Sequence, residues 1–141
     1  MKKPITVACL GDSLTHGRVS YNWVKQLSRE MGADYRFRNF GVDGDLAYNG
    51  LQRINEVIAT KPDYVFVFLG INDVNASMGD EIADYYTRKK KLPVHPTLHW
   101  YTKCMEDIVG ILRTRTKAQI FIISVPILGE DLSHEANKRE S

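Results

Sequence analysis

Three short clusters hold the residue types in this chain best able to do chemistry. They are Gly11-Asp12-Ser13-Leu14-Thr15-His16-Gly17, Asn39-Phe40-Gly41-Val42-Asp43-Gly44-Asp45 and Gly70-Ile71-Asn72-Asp73. A serine at the turn from a strand into a helix is well placed to be a nucleophile, because the helix amides beyond it can stabilise an oxyanion. A glycine lets a second backbone N–H approach a ligand with no Cβ in the way. An asparagine adds a side-chain N–H₂ donor that carries no charge. One hydroxyl and three converging donors are the requirements of acyl transfer.

The surrounding pattern says what must position these clusters. Ile5–Leu10 is a short apolar run that stops at Gly11, the signature of a buried strand. From Val19 to Met31 the spacing of Val19, Trp23, Val24, Leu27 and Met31 predicts a helical face, with Gly32 in the C-cap position. Tyr35–Phe40 alternates aromatic with polar residues, as an edge strand with one wetter face would. Leu46–Ala59 reads as one helix with Leu51, Ile54, Val57 and Ile58 inward, broken by Lys61-Pro62-Asp63. Tyr64–Leu69 is a continuous β-branched and aromatic strand ended by Gly70. Residues 74–97 look irregular, with a short helix expected over Asp80–Tyr86, a basic run Arg88–Lys91, and Pro93 and Pro96. A long helix is expected at Leu98–Arg115, capped by Thr97, and a fourth strand at Ala118–Val125, ended by Pro126.

Strand and helix thus alternate with short connections, which predicts an α/β fold: a three-layer, doubly wound parallel sheet. In such sheets the ligand site lies beyond the carboxyl ends of the strands. The three clusters are the loops after the first three strands.

Composition narrows the class without naming a reaction. The 141 residues make a single domain over 1–141, and 43% hydrophobic with 26% charged residues exclude disordered and coiled-coil chains. A net charge of +2 gives no reason to expect nucleic acid as partner. Cys9 and Cys104 cannot form a disulfide framework or a zinc site, and each should be an inert buried thiol. No run is long enough for a signal peptide or membrane span, so the expectation is a soluble, cytoplasmic chain without metal or organic cofactor.

The three clusters resemble the sequence blocks of the GDSL or SGNH hydrolase superfamily of esterases, lipases and acylhydrolases. Residues 11–14 read GDSL and match its first block. The second block's glycine falls on Gly44, and the Gly-x-Asn-Asp block on Gly70-Ile71-Asn72-Asp73. The resemblance implies a flavodoxin-like hydrolase fold and hydrolysis of a small-molecule or lipid ester. Ser13 would be the nucleophile, with its own amide, the Gly44 amide and the Asn72 side chain as oxyanion donors.

The family's fourth block, Asp-x-x-His, supplies the base after a fifth strand. Asp131-Leu132-Ser133-His134 has the right spacing but follows the fourth strand with no fifth between. Gly129-Glu130-Asp131 reads as the loop after that strand, and His134–Arg139 as the opening of the next helix. The expectation is therefore a C-terminally truncated domain lacking the last strand and helix. In the family's strand order, 2-1-3-4-5, the loss would bare Ile120–Ile123 as an apolar edge open to self-association.

Each candidate also has a plainer reading. Ser13 can serve as a helix N-cap, Gly44 as a tight turn, and Asn72 with Asp73 as an Asx-turn. Asp12 reads as a loop-shaping hydrogen-bonder, and His16 as a helix-start residue or a substitute base. His95 and His99 lack further metal ligands. Arg88–Lys91 reads as a wet surface, and Tyr85, Tyr86, Trp100 and Tyr101 as a pocket wall or as packing. The rival functional class is a catalytically dead ligand- or partner-binding domain of the same fold. A phosphate-binding flavodoxin or receiver-type domain needs a phosphate cradle or acidic cluster that the lone Asp12 does not make.

Overall fold

The computed structural model describes residues 2–126. Four strands, β1 (Ile5–Gly11), β2 (Tyr35–Gly41), β3 (Tyr64–Phe68) and β4 (Gln119–Ile122), form one sheet in the order β2-β1-β3-β4. Every pairing is parallel, and Gly11 aligns with both Gly41 and Phe68. Three strands therefore end at the same level.

Alternate residues of β1 serve different layers, as the period of two requires. Ala8 and Leu10 join Val65 and Val67 under α3 (Ala47–Gln52), α4 (Ile54–Ala59) and α7 (Leu98–Arg115), which contribute Ala47, Ile54, Val57, Cys104, Ile108 and Leu112. Val7 and Cys9 face the other way, against Val24 of α2 (Trp23–Met31). Both thiols are buried, and burial pushes Cys9 up to about 12 and Cys104 to about 11. At pH 7 both stay protonated.

Helix α7 has the expected bounds, because Thr97 Oγ1 accepts from Trp100 N at 3.1 Å and apolar residues recur on one face. Four expectations need correction. Val19 is 70% exposed and lies outside α2, which begins only after Asn22 caps it by accepting from Lys25 N. The single helix expected over 46–59 breaks at Arg53, which is non-helical (φ −111°, ψ 18°) between α3 and α4. The short helix expected over Asp80–Tyr86 is present as α6 (Asp80–Lys89) but runs on, so the basic run begins on a helix, and a further helix, α5 (Ile71–Ser77), precedes it. The fourth strand is shorter than expected, ending at Ile122.

Among the described residues β4 is an outer strand, with Phe121 stacked on Phe66 at 5.0 Å and Ile122 57% exposed. Among the described residues no helix is long and apolar enough to cross a membrane.

Candidate active site

The first turn begins at Asp12, which is 1% exposed. Its side chain accepts from Leu14 N at 2.9 Å and its carbonyl from Thr15 N and His16 N, so Asp12 caps the short helix α1 (Ser13–His16). That leaves Ser13 as the first residue inside the helix, not its cap. Burial raises the Asp12 carboxyl to about 6, opposed by the Leu14 amide and reinforced by the Asp45 and Asp43 charges.

Helix α1 sits directly on the end of β2. A Cβ at position 41 would lie 2.1 Å from His16 N, so only glycine permits this approach. Asn39 fastens the contact, donating from Nδ2 to Thr15 O and accepting Gly41 N at Oδ1, both at 2.8 Å.

The second turn is built around buried charge. Gly44 is left-handed (φ +74°), a conformation that an L side chain rarely adopts. Beside it, the Asp45 side chain is 5% exposed and meets two cations, Arg53 Nε at 2.8 Å and Lys90 Nζ at 3.0 Å. Lys90 also donates to Asp43 O at 2.5 Å. Arg53 spends its other nitrogens on Phe40 O at 2.7 Å and Gly11 O at 2.9 Å, tying the ends of β2 and β1 to this turn. Asp43 pairs with Arg18, whose guanidinium holds the carboxyl below its usual range. His16 Nδ1 stands 3.7 Å from Asp43 Oδ1, too far for a hydrogen bond.

The third turn reaches across to the second. Asn72 is 6% exposed, donates from Nδ2 to Asp45 O at 2.9 Å, and accepts the Tyr86 hydroxyl at Oδ1 at 2.8 Å. Asp73 Oδ2 accepts Ala47 N at 3.0 Å, joining this turn to the start of α3.

Burial pushes the Asp73 carboxyl up to about 7, against the pull of the Ala47 amide. A carboxyl that ionises near 7 when folded but near 3.8 when unfolded keeps its proton longer in the native state. Stability therefore falls as pH rises through that window and levels off above it. In Asp73→Asn the amide oxygen still accepts Ala47 N but nothing titrates. Thermal melts from pH 4 to 8 should show a falling Tm in the parent and a flatter profile in D73N. Equal slopes would refute the account.

The loops carrying Ser13, Gly44 and Asn72 thus meet at the carboxyl end of the sheet. Asp131 and His134 lie outside the described residues. His95 faces Asp84 at 3.6 Å on the surface and His99 is exposed, and no group of three or more metal-ligating side chains occurs among the described residues.

Three participants escape sequence reasoning. Arg53 is hidden inside an apparently continuous helix, Lys90 inside an apparently wet basic run, and Tyr86 among aromatics that could equally be packing. Of those aromatics, Trp100 stacks on Tyr48 at 5.0 Å, and the Tyr101 hydroxyl donates to Leu69 O at 3.4 Å.

An apolar cavity of about 100 Å³ lies beside the third turn, lined by Gly70, Asp73, Val74, Leu98, Tyr101 and Val125 among others. A larger groove of about 320 Å³ involves Val7, Tyr35 and Tyr64, from the early parts of the strands, and so lies away from these loops.

The model of the GDSL-like lipase/acylhydrolase family matches residues 9–140. The chain belongs to that family. A curated acetylxylan esterase from Xylanibacter ruminicola is 37% identical over 81 residues, covering 49% of this chain but only 17% of that relative's length. Among solved structures, AlinE4, an SGNH-hydrolase family esterase, is 25% identical with a TM-score of 0.62. A catalytic mutant of the acetylxylan esterase Axe2 from Geobacillus stearothermophilus is 23% identical with a TM-score of 0.68, a likeness of fold. Each structure covers 99% of this chain, which spans 68% of each. The three-layer parallel sheet is thus the fold of this family.

Proposed function

We propose that this family member hydrolyses a carboxylic ester through an acyl-enzyme on Ser13. The Ser13 hydroxyl oxygen bonds to the substrate's carbonyl carbon as its proton passes to a general base, and the carbonyl π pair moves onto oxygen. The Ser13 and Gly44 amides and the Asn72 side chain receive that oxyanion. Collapse breaks the bond to the alcohol, which leaves with a proton, and water then releases the acid.

The observation that carries this reading is the Asn72 Nδ2 bond to Asp45 O, which ties one candidate donor to the residue next to another. An amide nitrogen has two hydrogens, so this bond leaves one to offer. The base belongs outside the described residues. By sequence position Asp131 reads as the loop after the fourth strand and His134 as the opening of the next helix, so neither is assigned as that base.

A second reading is a binding domain of the same fold that no longer turns over. It draws on one fact: among the described residues no imidazole is hydrogen-bonded to Ser13. A fluorophosphonate probe and p-nitrophenyl acetate separate the two. The hydrolase reading expects probe on the Ser13 peptide, turnover of the ester, and loss of both in Ser13→Ala. An unlabelled parent supports the binding domain. His134→Ala should behave as the parent does. If it abolishes labelling, His134 is the base.

A further inference from the structure

Asn72 is held by two partners of different chemistry, and together they leave its amide a single orientation. The carbonyl of Asp45 can only accept, so it must face Nδ2. Oδ1 then faces Tyr86, whose hydroxyl can donate or accept and is here obliged to donate. The torsion that turns an asparagine amide is soft and nearly two-fold, so neither contact alone would define the plane as firmly as the pair does.

The phenol itself is firmly placed. Tyr86 lies on α6 and packs against Leu46, Ala76 and Leu92, with Tyr85 edge-on to its ring at 5.5 Å. One turn further on, Lys90 anchors the end of the same helix to Asp43 O and Asp45 Oδ1, and Asn49 Nδ2 donates to Lys90 O at 3.2 Å. Helix α6 therefore touches the Gly44 turn through Lys90 and the Asn72 amide through Tyr86.

We propose that Tyr86 is a positioning residue for ester hydrolysis: its hydroxyl fixes and polarises the Asn72 amide so that the second N–H points at the developing oxyanion. The inference rests on the hydrolase reading above. Donation into the amide oxygen draws electron density from the nitrogen and strengthens N–H as a donor, the cooperativity expected of chained hydrogen bonds in a dry site. Because the oxyanion exists only in the transition state, the effect belongs in kcat and not in KM. Burial raises the Tyr86 pKa, so the hydroxyl keeps its proton across the neutral range.

The test is Tyr86→Phe in the full chain, alone and combined with Asn72→Ala. Phenylalanine keeps the ring and its packing and removes only the donor. Tyr86→Phe should lower kcat on p-nitrophenyl acetate about tenfold, a part of what losing an oxyanion donor costs, with KM unchanged. The double variant should be no slower than Asn72→Ala, because the hydroxyl acts through that amide. In ¹⁵N-resolved spectra the Asn72 side-chain protons should exchange with solvent faster in Tyr86→Phe than in the parent.

Parental kcat in Tyr86→Phe, a further loss in the double variant, or unchanged amide exchange would each overturn the positioning role. Absence of Ser13-dependent turnover in the parent would instead overturn the hydrolase reading. The exchange measurement would still report whether Tyr86 holds the amide.

Discussion

Arg53→Met should be strongly destabilising, costing about 3–5 kcal/mol in urea unfolding. The side chain is 15% exposed and satisfies three acceptors from three segments: the Asp45 carboxylate, Phe40 O and Gly11 O. Methionine fills similar space but donates nothing. Asp45 keeps Lys90 as its one cation, Phe40 O loses this donor, and Gly11 O retains Val42 N at 3.1 Å. A native state held by roughly 5–15 kcal/mol cannot absorb that loss unnoticed.

Lys90→Met should cost less, since Arg53 still neutralises Asp45. Arg53→Lys should fall between, because an ammonium offers one point of charge where the guanidinium offers a planar fork. The midpoint should shift with the m-value constant. An Arg53→Met midpoint within about 0.5 kcal/mol of the parent would show that the three bonds merely replace solvation.

That arginine also marks where sequence reading stops. The strands were legible because Ile5–Leu10 and Tyr64–Leu69 are unbroken apolar runs closed by glycine, a pattern that a buried parallel strand imposes on its own. Helix α7 was legible for equally local reasons, a threonine cap and a repeating apolar face. The strand order needed more than local pattern and rested on family resemblance. Arg53 obeys neither kind of signal. Its neighbours Leu51, Ile54, Val57 and Ile58 satisfy one helical face, so nothing in the spacing announces a break. The break exists because the guanidinium finds three acceptors that converge only after β1, β2 and the Gly44 turn have come together.

Lys90 is illegible in the same way, because a charge in a basic run looks solvated until a buried carboxylate appears opposite it. Helix α5 went unseen because it starts at Gly70 without a side-chain cap, and Ile71-Asn72-Asp73-Val74-Asn75 shows too little apolar repetition to declare itself. Of the candidate site, the sequence exposed the residues proposed to face a ligand. It hid those that hold them in place, since holding is a property of the assembled loops.

If Asn72 donates to the oxyanion, Asn72→Ala should lower kcat on a short-chain ester by about 10²–10³ and leave KM nearly unchanged. The reason is differential binding. Ground-state carbonyl oxygen gains little from the donor, whereas the oxyanion gains a strong, charge-assisted bond. The residue is 6% exposed, so truncation also strands Asp45 O and the Tyr86 hydroxyl, at about 1–3 kcal/mol of stability. Rates must accordingly be read well below each variant's own Tm, where a folding defect cannot pass for a catalytic one.

Asn72→Asp sharpens the test because it nearly preserves shape. An ionised aspartate accepts the Tyr86 hydroxyl as well as asparagine does, but it has no hydrogen for Asp45 O and sets negative charge where negative charge must grow. It should be slower than Asn72→Ala at neutral pH. Lowering the pH should restore part of the loss as the carboxyl gains a proton, a recovery the alanine variant cannot show. An alanine variant within about threefold of parental kcat would remove Asn72 from the oxyanion hole, and an aspartate variant faster than alanine would do the same.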